Sequence, residues 1–196
     1  MQMVFIILIA GIFTDNFVLS RFLGICPFLG VSKKLGPAVG MGLAVAFVML
    51  LATAVTYPIY AWVLAPLELG YLQTILFILV IAALVQLVEI ILRKYIPRLY
   101  AALGVYLPLM TTNCAIVGVT FLHFAAGYSY FQALINALAA GIGFLVAMVM
   151  FAGVRGRLES CDIPKALQGL PITLIAAAIM SMSFMGLAGL AKGLFG

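Results

Sequence analysis

Long apolar stretches separated by short polar links dominate the pattern of this chain. A membrane-spanning helix needs about 20 consecutive apolar residues. Five charge-free windows reach that length, at residues 36–65, 69–88, 99–122, 124–154 and 166–191. The N-terminal segment forms a sixth, interrupted at residues 14–16. The pattern predicts six spanning helices, with a turn at residues 127–129 that starts the fifth helix near Tyr130.

Composition narrows the class of protein. Hydrophobic residues make up 67% of the 196 residues and charged residues 8%, against about 25% charged in an ordinary soluble domain. A soluble globule cannot bury so much apolar surface, and a disordered chain does not carry it. The net charge of +5 does not indicate nucleic-acid binding, because the basic residues are sparse and lie between apolar windows. We predict an all-α polytopic membrane protein with a single membrane domain over residues 1–196.

The basic residues indicate how the chain crosses the membrane. They lie in or beside the first, third and fifth links and are missing from the second and fourth. The nine residues are Arg21, Lys33, Lys34, Arg93, Lys94, Arg98, Arg155, Arg157 and Lys165. Because cytoplasmic links are enriched in lysine and arginine, we expect the odd-numbered links in the cytoplasm and both termini outside. Lys192 alone departs from this pattern.

The two halves of the chain resemble each other. Residues 26–31 and 114–119 both read Cys-x-x-x-Gly-Val, 88 residues apart, and residues 40–49 match residues 141–150 at an offset of 101. Repeat one covers about residues 1–95 and repeat two about 96–196. Each contains three predicted helices, so the second repeat enters the membrane from the opposite side. This 3+3 inverted-topology repeat favours a functional site near the membrane midplane, at the interface of the repeats.

Each repeated cysteine lies where a helix is hard to continue. Gly24, Pro27 and Gly30 surround Cys26, and the polar run at residues 111–113 precedes Cys114. Such sequences suit broken helices, whose unpaired backbone must be buried in protein. We therefore expect the first and fourth helices to be broken and the two thiols to meet near the membrane centre.

The chemistry of the two thiols has several interpretations. Buried free cysteines often serve only packing, but soft thiolates at equivalent places suit an iron–sulfur cluster, copper or zinc. A two-iron cluster usually needs four cysteines, so a partner chain with the same motifs would complete the set. A transmembrane thiol–disulfide carrier needs only two cysteines and is the rival interpretation. A small secondary transporter is the non-redox alternative.

Other polar residues are weaker candidates. Asp15, Asn16 and Glu89 are candidates for an ion pathway, because carboxylates within the membrane are often functional. Asp15 is equally well explained as a helix-end carboxylate facing water. Glu89 is better explained by an ion pair with Arg93, four residues later on the same helix face.

The remaining distinctive residues have structural interpretations. His123 is expected to be solvated or to lie at headgroup level, and Cys161 is expected to be a free thiol in a polar link. Small residues allow helices to approach closely, a role we assign to Gly36, Gly40, Gly42, Gly141 and Gly143. The sequence shows no nucleotide site, flavin attachment site or catalytic triad. The chain by itself is therefore expected to be a membrane conduit and not a complete enzyme.

The cysteine motifs carry a family resemblance. Residues 22–34 and 107–115 are similar to the NqrDE/RnfAE family, and the similarity includes residues 84–89 and 162–164. Residues 16–19 and the Cys-Pro-Phe motif at residues 26–28 are most like the Rnf A branch of that family. The resemblance extends over essentially the whole chain.

The resemblance implies a place in a complex that passes electrons between ferredoxin and NAD in a prokaryotic cytoplasmic membrane. It implies coupling of this flow to translocation of sodium ions or protons. It also implies a homologous partner of opposite topology, the E subunit, together with further Rnf subunits. In this family a [2Fe-2S] cluster lies between the two homologues, so Cys26 and Cys114 are its expected ligands from this chain.

Overall fold

The computed structural model describes residues 8, 11–12, 16–64, 66, 70–95 and 110–195, with side chains described except at residues 70, 92 and 187–195. Every regular element in these residues is helical. The α-helices are α1 (Ile25–Val31), α2 (Leu35–Ile59), α3 (Gln73–Tyr95), α4 (Cys114–Ala125), α5 (Tyr130–Leu158) and α6 (Leu170–Phe195). A π-helical turn, Tyr60–Leu64, extends α2, and a short 3-10 helix, Gly70–Leu72, precedes α3.

Several of these helices match the predicted spans. Leu35–Leu64, Gln73–Tyr95 and Tyr130–Leu158 are 30, 23 and 29 residues long, and each contains an 18-residue stretch with a mean hydropathy of 2.3, 3.0 and 2.3, respectively. Each is long and apolar enough to cross a membrane. The shorter apolar helices are Cys114–Ala125 and Leu170–Gly186. The prediction of an all-α polytopic membrane protein is confirmed.

Local sequence explains two of the helix starts. Helix α5 begins at Tyr130 as predicted, because Ser129 and Gln132 form a capping box in which the Gln132 side chain accepts a hydrogen bond from the Ser129 N–H at 3.0 Å. Helix α4 begins only at Cys114, since Thr112 lies in a turn and Asn113 is extended. The predicted break before Cys114 is therefore present. Most of the N-terminal segment lies outside the described residues, but residues 17–21 and 23–24 form turns before α1.

Helices α2 and α5 pack against each other and form the centre of the core. A Cβ built on Gly42 would lie 3.1 Å from Cα of Leu145, and one on Gly141 would lie 2.8 Å from Cα of Ala46. From Gly42 to Ala46 the residue numbers rise along α2, while their neighbours in α5 fall from Leu145 to Gly141. The two helices are therefore antiparallel. The close-packing role is confirmed at Gly42, Gly141 and Gly143. It is wrong at Gly36, which has no atom within 4 Å of a built Cβ, because Gly36 lies in the exposed stretch of residues 33–37 around the start of α2.

Aromatic rings join the helices at one end of the bundle. The ring of Tyr57 stacks on Phe124 at 5.5 Å and meets Tyr130 edge-on at 5.3 Å. The Tyr57 hydroxyl donates a hydrogen bond to the Tyr128 carbonyl at 3.0 Å. These contacts fix the end of α2 against the link between α4 and α5.

An arginine joins two helices at the other end. Nη1 of Arg155 donates hydrogen bonds to the Leu29 carbonyl at 2.7 Å and to Oγ of Ser32 at 2.9 Å. One turn earlier on α5, Phe151 stacks on Phe28 with ring centres 4.2 Å apart. Ser32 is fully buried, so its hydroxyl needs this partner. The C-terminal end of α1 is thereby held against α5.

The basic links share this second end. Helix α3 starts beside the aromatic end, where the Phe77 and Tyr60 rings are 6.3 Å apart. It therefore runs antiparallel to α2 and carries Arg93 and Lys94 towards the end where Lys33 and Arg155 line one cavity. The described parts of the first, third and fifth links thus lie at the same end of the bundle.

Candidate functional site

The two cysteine motifs meet in the fold. Cys114 is the first residue of α4, and Cys26 is the second residue of α1. The backbone N–H of Gly24 donates a hydrogen bond to Sγ of Cys114 at 2.9 Å. Both cysteines are exposed at the surface of the chain. Segments that lie 90 residues apart in sequence are therefore in contact, and each carries an exposed thiol.

The conformation of Gly24 requires glycine. Its φ angle is +86°, in the left-handed region that side chains disfavour. A Cβ at this position would also lie 2.9 Å from Cε2 of Phe144 and 3.0 Å from Cβ of Ala115. The absence of a side chain lets the start of α1 approach α4 and α5 closely enough for the contact with Cys114.

Asn113 fixes the start of α4. Its Oδ1 accepts a hydrogen bond from the Ala115 N–H at 3.0 Å, which caps the helix. Asn113 is 1% exposed, and its Nδ2 has no hydrogen-bond partner among the described residues. The cysteine therefore begins a capped helix and lies at its positive N-terminal end.

An apolar cavity lies beside the Cys26 segment. It has a volume of about 220 Å³ and is lined by residues that include Val18, Phe22, Ile25, Phe28 and Leu174. Phe22 is 54% exposed and has a φ angle of +56°, unusual for a bulky residue. Strained backbone of this kind often accompanies functional sites.

Comparisons with known proteins agree with this architecture. The profile described as "Rnf-Nqr subunit, membrane protein" matches residues 4–191. The chain belongs to this Rnf-Nqr family. The resemblance to the NqrDE/RnfAE proteins is therefore confirmed.

Named relatives of this Rnf-Nqr chain match over nearly its full length. The A subunit of the "Na(+)-translocating ferredoxin:NAD(+) oxidoreductase complex" of Acetobacterium woodii is 56% identical over 98% of this chain and all of its own length. The A subunit of the "Ion-translocating oxidoreductase complex" of Syntrophotalea carbinolica is 52% identical with the same coverage. The protein of that name from Citrobacter koseri is 49% identical over 95% of this chain and 97% of its own.

Among the ion-pathway candidates of this Rnf-Nqr chain, Asn16 has the clearest environment. It is fully buried, and its Nδ2 donates to the carbonyls of Gly143 at 2.8 Å and Ile12 at 3.2 Å. Its Oδ1 accepts from the N–H groups of Val18 at 3.1 Å and Leu19 at 3.4 Å. The four bonds use the full capacity of the amide. Asn16 thus ties the segment before α1 to the middle of α5.

The other two ion-pathway candidates are Asp15 and Glu89. Asp15 lies outside the described residues. Glu89 is half-buried on α3 and has a hydrogen-bonding or electrostatic partner. None of the four hydrogen bonds of Asn16 goes to Glu89. The role of all three residues in an ion pathway stays a prediction.

Of the two alternatives expected for His123, a solvated side chain is wrong. His123 is 1% exposed, because it lies on the face of α4 that also buries Val119 and Thr120. Within the described ranges its Nε2 lacks a hydrogen-bond partner, as do the buried side-chain oxygens of Thr53 and Asn136. These polar atoms were not predicted from the sequence. The one available signal was the occurrence of Thr53 and Asn136 inside otherwise apolar windows and of His123 between two such windows.

The remaining cysteine is separate from the pair. Cys161 is exposed in the polar link between α5 and α6, as predicted, and its Sγ contacts the Arg157 carbonyl at 3.4 Å. It lines a cavity of about 320 Å³ together with Lys33 and Arg155. Within the described residues, no three or more His, Cys, Asp and Glu side chains gather as a metal site.

Proposed function

We propose that this chain is the A-type membrane subunit of an ion-translocating ferredoxin:NAD oxidoreductase. The names and near-complete coverage of its relatives support this assignment. The proposed complex contains the other Rnf subunits and couples electron flow to translocation of sodium ions or protons. Within it, this chain provides a conduit for electrons inside the membrane.

The contact between Gly24 and Cys114 is the main structural support for a cluster site on this chain. It brings the two repeated motifs together and leaves both thiols free and exposed. Two such thiols are half of the ligand set of a [2Fe-2S] cluster. A homologous E subunit, inserted with the opposite topology, would supply the other two.

The donor atoms fit this group. Thiolate sulfur is the ligand that iron–sulfur clusters require, and Cys114 lies at the N-terminal end of α4, which favours the charged ligand. One-electron transfer is the chemistry that such a cluster supplies. Cys26 and Cys114 would hold it, while the Gly24 segment and the Asn113 cap keep the ligand-bearing backbone in place.

We further propose that the end of the bundle carrying the basic links faces the prokaryotic cytoplasm, and that both termini lie outside. Links rich in lysine and arginine favour the cytoplasmic side. Reporter fusions should therefore place Lys34, Lys94 and Arg157 in the cytoplasm and the C-terminus outside. A cytoplasmic C-terminus would contradict both the orientation and the odd number of spans in each repeat.

Iron analysis of the assembled complex tests the shared cluster. We expect the complex purified with the E subunit to contain a two-iron centre detectable by electron paramagnetic resonance (EPR) after reduction. The chain expressed without its partner should lack iron and be less stable, because a cofactor bound only by the assembly stabilises the assembly.

Two outcomes would contradict this assignment. Stoichiometric iron in the isolated monomer would exclude a shared ligand set. An iron-free complex in which Cys26 and Cys114 can be trapped as a disulfide would support a thiol–disulfide carrier instead.

A further inference from the structure

The N–H group of Gly24 is a donor aimed at a proposed ligand atom. It lies 2.9 Å from Sγ of Cys114 and reaches that atom from the other repeat. A second donor, Nδ2 of Asn113, is buried at the start of the same helix without a partner in the described part of the chain. Hydrogen bonds to sulfur are one of the factors that set the reduction potential of an iron–sulfur cluster.

We propose that Gly24 is a positioning residue that raises the reduction potential of the centre bound at Cys114, an inference that rests on the proposed function. Reduction adds one electron, and hence negative charge, to the cluster and its thiolate ligands. A hydrogen-bond donor stabilises the more negative state more strongly. The positive N-terminal end of α4 acts in the same direction.

The surroundings hold the donor in position. The left-handed backbone of Gly24 is enclosed by Phe144 and Ala115, both fully buried. On the α4 side, a Cβ at Gly118 would lie 2.6 Å from Cδ1 of Leu23, which precedes Gly24 directly. The N–H group therefore cannot turn away from the sulfur without disturbing the core. Such fixed donors need little reorganisation when the charge changes.

Replacement of Gly24 tests this role. In Gly24→Ala the new Cβ meets Phe144 and the backbone is strained, so the N–H group moves away from the sulfur. We expect the purified complex to keep its iron. The equilibrium constant for reduction of the cluster should fall about tenfold, which lowers its reduction potential by about 59 mV for one electron. An EPR-monitored redox titration measures this shift. Gly36→Ala is the matched control, since a Cβ there has no atom within 4 Å, and its potential should equal that of the wild type.

A second pair of variants keeps the test decisive if Gly24→Ala does not assemble. Gly24→Ala combined with Phe144→Leu removes the closest clash and is compared with Phe144→Leu alone. Full iron content with an unchanged potential would overturn the inference. Loss of iron from both Gly24 variants, with Phe144→Leu still loaded, would also overturn it and leave Gly24 a purely structural role. An iron-free wild-type complex would instead overturn the proposed function, and the inference with it.

Discussion

Cys26→Ser and Cys114→Ser should each remove the shared cluster and stop electron transfer through the complex. Serine preserves the size of the side chain but replaces a soft thiolate with a poor ligand for iron. Each variant leaves an incomplete ligand set, so iron content and the EPR signal should fall to background together with ferredoxin:NAD oxidoreductase activity. Both quantities are measured on the same purified complex.

Cys161→Ser is the matched control for these two variants. Cys161 lies in the polar link between α5 and α6, outside the repeated motifs. Its replacement should leave iron and activity unchanged. If all three thiols serve only packing, the three serine variants should each have a mild phenotype. If the protein is a thiol–disulfide carrier, Cys26→Ser and Cys114→Ser should lose activity, but the wild-type complex should contain no iron. Full iron occupancy in Cys26→Ser would refute the assignment of that ligand.

Gly141→Val should destabilise the protein severely. A Cβ at Gly141 would lie 2.7 Å from Cβ and 2.8 Å from Cα of Ala46. A backbone atom cannot move aside as a flexible side chain can, so α2 and α5 must separate. We expect a loss of about 3 kcal/mol, the upper part of the range typical of overpacked cores, with a lower thermal midpoint in detergent and a reduced yield of folded protein.

Gly153→Val on the same helix controls for the effect of valine itself. Gly153 is exposed, and a Cβ there has no atom within 4 Å. It carries the same helix-propensity change without the clash, so its thermal midpoint should stay near that of the wild type. Equal midpoints for the two variants would show that the contact between α2 and α5 does not limit stability.

The elements that the sequence predicted correctly depend on local chemistry. The start of α5 at Tyr130 follows from the turn and capping residues just before it, and the break before Cys114 follows from polar residues that compete with helix formation. The repeated cysteine motifs also pointed to the surface where Cys114 meets the segment of Gly24. These features involve residues that are close in sequence or alike in pattern.

Features that depend on contacts between distant residues could not be predicted. The bonds from Arg155 to Leu29 and Ser32 join residues more than 120 positions apart, and no local pattern specifies them. The burial of His123 depends on which face of α4 meets its neighbours, which an almost uniformly apolar helix does not reveal. Gly36 is the opposite of His123: its small size suggested a close helix contact, but no atom lies within 4 Å of a Cβ built there.

The pairing of α2 with α5 also has a consequence for the order of events during synthesis. Helix α2 ends at Ile59 and α5 begins at Tyr130, so the partner of α2 emerges from the ribosome on the order of 10 seconds later. During that interval the face containing Met41 and Val45 must be covered by lipid or by the insertion machinery. The first half of the nascent chain is therefore in the membrane before its core has formed, because the core contact of α2 forms only after α5 has been inserted.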